Sequence, residues 1–90
     1  MYLYTIARMH EGQLELTGPK WPGTEPYLNT EPGIMGWLTE PGYDEYKIDT
    51  VTGRAVRTTN YGHGNNPAEA QVPEKTLKHI RKIMPKYGWD

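Results

Sequence analysis

No cysteine, no serine and no phenylalanine occur among the 90 residues of this chain. Without cysteine there is no disulfide framework, no thiolate metal site and no cysteine nucleophile. Without serine the commonest hydroxyl nucleophile is missing, and threonine seldom takes that role away from a chain N-terminus. The lack of phenylalanine, with only 14 Ile, Leu and Val, shifts the apolar load onto seven Tyr, three Trp and four Met. A chain of this size buries only a little over ~60% of its unfolded surface, so those aromatics are needed to fill a small core. An excess of one charge sign is lacking too. The net charge of −1 removes the self-repulsion that holds weakly hydrophobic chains open. No run approaches the ~18 consecutive apolar residues of a membrane span, and the N-terminus lacks the basic-then-apolar pattern of a secretory signal. The expectation is one folded domain over residues 1–90, with no membrane contact and a cytoplasmic location.

What the chain has in quantity is turn formers: ten Gly and eight Pro. Tyr2 to Met9 is dense in β-formers and ends at His10-Glu11-Gly12, after which Gln13 to Thr17 alternates with Leu14 and Leu16 on one face. That pattern predicts a hairpin. A second hairpin is predicted for Glu45 to Thr50 and Arg54 to Thr59, joined through Val51-Thr52-Gly53. Between the hairpins Thr-Glu-Pro is written three times, at Thr24, Thr30 and Thr39. Pro22-Gly23, Pro32-Gly33 and Pro41-Gly42 each suit a type II turn, with Pro fixing φ and Gly supplying its positive value. Within this stretch Ile34 to Leu38 is apolar enough for a strand or an edge piece, although Gly36 weakens it. Asn66-Pro67-Ala68-Glu69 carries a helix-start signature. Pro73 opens the strongest helix, expected to run to about Met84, where Pro85 stops it. Leu77, Ile80, Ile83 and Met84 form its apolar arc, and Lys75, Lys78, His79, Lys82 and Lys86 line the opposite side. The fold class expected is α+β: a small antiparallel sheet of two hairpins, with room for an additional strand, packed with one C-terminal amphipathic helix and interrupted by a long Pro/Gly-rich loop segment.

Charge divides along the chain. Residues through Gly53 hold eight acids against three bases, and those from Arg54 onward seven bases against three acids. Such a field steers encounters and selects partners. Tyr and Trp are enriched at protein-protein hot spots because they offer large rigid area with a polar handle. The segment from Lys20 to Glu45 combines both features, with Trp21, Tyr27, Trp37 and Tyr43 beside Glu25, Glu31, Glu40 and Asp44. These eight side chains are the expected contact surface for another protein.

Chemistry has little to work with. His10, His63 and His79 show neither helical nor hairpin ligand spacing, and no phosphate-loop or dinucleotide fingerprint is present. His63 lies in the Gly-rich stretch Asn60 to Asn66, which reads as a connector from sheet to helix. No catalytic residue, metal or cofactor is expected, and the chain is expected not to be an enzyme. The functional expectation is a non-enzymatic interaction or inhibitor protein. Small single-domain chains without catalytic groups are common among phage and mobile-element inhibitors of host defence systems, anti-CRISPR proteins included, and that base rate sets the finer expectation. The alternative is a nucleic-acid-binding accessory protein that uses Lys75, Lys78, His79, Lys82 and Lys86 against phosphates. A sequence pI near 6.3 and the lack of a nucleic-acid-binding motif weigh against it. An acidic and a basic region on one chain are also self-complementary, which would suit a homodimer.

Overall fold

The computed structural model describes residues 1–18, 25–38 and 40–89. Strand β1 (Tyr2–His10) turns through Glu11 and Gly12, both with positive φ (51° and 78°), into β2 (Gln13–Leu16). Two consecutive left-handed residues give a tight turn whose twist matches that of the flanking strands. Next come β3 (Leu28–Asn29), the 3-10 segment η1 (Ile34–Trp37), β4 (Asp44–Asp49), β5 (Arg54–Arg57) and β6 (Glu69–Gln71). The chain closes with α1 (Glu74–Ile83) and a second 3-10 segment, η2 (Met84–Tyr87).

All strand pairs are antiparallel, in the order β2-β1-β4-β5-β6, with β3 added to the β1 edge. The edge strands β2 and β6 approach each other, so the sheet is strongly coiled. This is the expected α+β fold. Beyond the two predicted hairpins the sheet gains β3 and β6, neither of them at the stretch expected to supply an additional strand.

Register assigns each side chain to a face. Leu3 pairs with Ile48, Thr5 with Tyr46 and Ala7 with Asp44, which sends these six to one face. Here α1 lays down Leu77, Ile80 and Ile83, all buried, against Leu3, Leu14, Tyr46 and Ile48. Each buried aliphatic contributes about 2 kcal/mol of transfer free energy. The other face carries Ile6, which packs with Ile34 and Tyr43, flanked by Tyr4, Tyr27, Met35 and Leu38. Tyr27, Ile34, Met35, Leu38 and Tyr43 of the proline-glycine segment therefore cover the back of the sheet. No helix among the described residues is long and apolar enough to cross a membrane.

Three local expectations change. Ile34–Trp37 is a 3-10 turn entered through Gly33 at φ 91°, which is not a strand conformation. Gly33 and Gly42 (φ 92°) do hold the positive φ that the Pro-Gly turns require, while the Pro22-Gly23 turn lies outside the described residues. The helix start at Asn66 does not form. The Asn66 side chain is spent on tertiary hydrogen bonds, accepting from the Met9 amide (2.9 Å) and donating to the Gly42 carbonyl (3.0 Å) and the Asp44 carboxylate (2.8 Å). The chain after it pairs as β6. Finally, the helix becomes 3-10 at Met84, which carries Lys86 off the α1 face to an ion pair with Glu25 at 3.5 Å.

Candidate functional site

Two adjacent buried carboxylates on the central strand organise the loops around it. Asp44 and Glu45 are 0% and 3% exposed and, as strand neighbours, point to opposite faces. Asp44 Oδ2 accepts from the Gly62 amide (3.1 Å) and Asn66 Nδ2 (2.8 Å), and Oδ1 accepts from the Thr59 hydroxyl (2.6 Å). Burial pushes this carboxyl up, but the hydrogen bonds from Asn66, Thr59 and the Gly62 and Tyr61 backbone outweigh it and hold it below the usual aspartate value. The 60–66 connector is fixed by this contact. A Cβ at Gly62 would lie 2.5 Å from both the Asp44 and the Asn66 side chains, so only glycine fits. Glu45 serves the other face. Its Oε2 accepts from the Gly33 (2.7 Å) and Ile34 (3.0 Å) amides, the unsatisfied donors at the start of η1, and Thr58 donates to Oε1.

Asp44 and Tyr43 thus leave the predicted surface. Tyr43 is 5% exposed, packs on Ile6 and Ile34, and has the Arg8 guanidinium 5.1 Å from its ring centre. The Asp44 carboxylate is not available to a partner, and Tyr43 contributes only to the wall of a cleft. Both were expected outside because a turn-rich stretch precedes them, yet Asp44 begins the central strand and Tyr43 leads directly into it.

Tyr27 and Trp37 are brought together, with ring centres 5.9 Å apart in an edge-to-face arrangement. Trp37 is 51% exposed, so it does not plug the core. At the C-terminus Tyr87 and Trp89 stack at 4.7 Å, and Trp89 folds back against the main core. The two aromatic pairs line one cleft of about 430 Å³ whose floor includes Leu28 and Ile83. Glu25 bridges its sides, accepting from the Tyr87 hydroxyl and facing Lys86. The Tyr87 hydrogen bond holds Glu25 below the usual glutamate value, and the same bond raises the Tyr87 phenol. Tyr87 and Trp89 were not among the expected contact residues, since nothing local in the sequence places the C-terminus beside β3. Glu31 and Glu40 are exposed. Trp21 lies outside the described residues.

Lys75, Lys78 and Lys82 are exposed on α1. His79 is half-buried, with Nε2 enclosed and without a hydrogen-bond partner, so it leaves the basic stripe. It lines a cleft of about 580 Å³ with His10, Glu15, Lys75 and Thr76. His63 stands exposed at φ 55°, beside exposed Tyr61. Among the described residues no three His, Asp or Glu side chains gather as a metal site. Comparison with family models, curated proteins and solved structures finds no match for this chain.

Proposed function

We propose that the protein is a non-catalytic protein-binding module whose contact surface is the cleft between Tyr27/Trp37 and Tyr87/Trp89. The observation that carries this reading is the half-exposure of both Trp37 and Tyr87 in the lining of one cleft. A small protein that leaves two large aromatics half in water, when its core needs them, keeps them for a partner. The exposed acids Glu31 and Glu40 suit a partner with a basic surface. An inhibitor that occupies a positively charged channel of a host complex, in the manner of a phage-encoded antagonist, is one function such a surface serves.

Capture from lysate with the tagged protein tests it. Trp37→Ala is expected to lower recovery of a stoichiometric, nuclease-resistant partner at least tenfold while leaving the thermal midpoint within about 2 °C, because the ring is exposed. Unchanged recovery would move the contact surface elsewhere on the molecule.

The second reading, nucleic-acid binding, is favoured by Lys75, Lys78 and Lys82, which are exposed together on α1 and belong to no ion pair among the described residues. Its expected outcome is a gel shift at low salt that disappears when Lys78→Glu and Lys82→Glu are combined. No shift by the unmodified protein at low salt ends that reading.

A further inference from the structure

We infer that the aromatic cleft takes a proline-rich peptide in the polyproline II conformation, with arginine or lysine beside its prolines; this rests on the protein-binding reading of the same cleft. The argument begins with Tyr27. Its ring lines the cleft that contains Trp37, Tyr87 and Trp89, and it also lines a second cleft of about 440 Å³ that contains Leu38, Tyr43 and Glu40. A single aromatic ring shared by two neighbouring clefts is a ridge between two slots. A polyproline II chain repeats every three residues, about 9 Å along its axis, and presents successive proline pairs to such slots. Its prolines are flat, rigid and already ordered, so they lose little entropy on docking between rings.

Polar groups fit the same occupant. A polyproline II backbone makes no internal hydrogen bonds, so its carbonyls need donors, and the first cleft is lined by two donor-bearing side chains, the Trp37 indole and the Asn29 amide. Asn29 holds its orientation by accepting the Thr30 amide on Oδ1 at 2.9 Å, which leaves Nδ2 to donate.

Charge supplies the specificity. Between residues 25 and 43 the chain contains Glu25, Glu31 and Glu40 and no lysine or arginine. Glu25 is matched by Lys86 across the first cleft. Glu31 and Glu40 are exposed and form no ion pair among the described residues. Arg8, the base at the second cleft, is engaged by Glu15 at 3.2 Å. Among the described residues the open charge of the second slot is therefore that of Glu40, which a cationic side chain flanking a proline meets. Cation–π attraction to the Tyr and Trp faces acts in the same direction.

The probe is an acetylated, amidated peptide of two Pro-Pro-Arg repeats flanked by alanine. It is titrated into the full chain and followed by calorimetry and by tryptophan fluorescence. Two controls accompany it: the same peptide with glycine for every proline, and a trimethyllysine derivative without proline. Saturable binding is expected for the proline peptide, at least tenfold tighter than for the glycine version. Trp37→Ala and Tyr27→Ala should each weaken it tenfold or more, and Glu40→Ala about threefold, with loss of the preference for arginine over glutamate in the repeats. The proline peptide should also displace the captured partner. No saturable binding up to millimolar concentration, equal binding of the glycine peptide, or tighter binding of trimethyllysine would each overturn the inference. If capture depends on Trp37 but the proline peptide does not compete, the ligand class is wrong and the protein-binding reading stands. Capture indifferent to Trp37 removes the reading itself.

Discussion

Replacing Asp44 by alanine is expected to lower the free energy of unfolding at pH 7 by about 3 kcal/mol, among the largest effects of any single substitution in this chain. The change removes one acceptor that serves the Thr59 hydroxyl, the Gly62 amide and Asn66 Nδ2, and it strands those donors at a site with no exposure. A buried donor left without a partner costs more than a hydrogen bond contributes when formed, which is why the loss exceeds that of a surface contact. Urea denaturation followed by circular dichroism measures it.

The same variant reads out pH. The folded-state pKa of Asp44 lies below its ordinary value of 3.8, so its contribution to stability is fully present above the unfolded pKa of ~3.9 and is lost as pH falls through the folded value. Stability of the unmodified protein should therefore drop below about pH 4, and Asp44→Ala should drop less over that interval. Glu25 and Asp49 are also held below their usual values and titrate in the same window, so the informative quantity is the difference between the two curves. Parallel curves would mean that the Asp44 carboxylate does not hold the 60–66 connector.

Glu45→Ala is expected to cost a similar amount, about 2 to 3 kcal/mol, with a different local consequence. Glu45 accepts the Gly33 and Ile34 amides at the start of η1, the segment that ends at Trp37. Freeing those amides releases the turn that sets Trp37 edge-on to Tyr27. Partner capture through the cleft should fall at least tenfold in Glu45→Ala at temperatures where the protein remains folded. Asp44→Ala, which acts on the opposite face, should keep capture per folded molecule within about twofold. Equal losses in the two variants would indicate general loosening of the sheet. Retained capture in Glu45→Ala would show that η1 holds its place by the packing of Ile34 on Ile6 and Tyr43 alone.

Much of the scaffold was legible from near-neighbour patterns. The β1–β2 turn follows from Glu11-Gly12, the β4–β5 turn from Gly53 at φ 79°, and the buried face of α1 from the spacing of Leu77, Ile80 and Ile83. Each of these depends on residues within about one turn of each other. Asn66 is where that logic failed. Its local signature is a helix cap, but Met9, Gly42 and Asp44 offer its amide three partners at once, and the segment after it gains more from pairing with β5 than from an isolated turn of helix.

The candidate site divides in the same way. Sequence alone singled out Tyr27 and Trp37 as aromatics in an acidic, turn-rich stretch, because such loops have little core to enter. It also misplaced Tyr43 and Asp44 on that surface, since the turn before them hides the start of the central strand. Sequence could not reveal the pairing of Tyr27/Trp37 with Tyr87/Trp89, as β3 and η2 meet only when α1 crosses the coiled sheet. Composition, turn chemistry and hydrophobic period determined the hairpins, the helix and the division of charge. Tertiary structure alone decided which carboxylates are buried and which rings share a cleft. The physical reason is distance along the chain: the side-chain partners of Asp44 and Glu45 lie 11 to 22 residues away, beyond the reach of any local pattern.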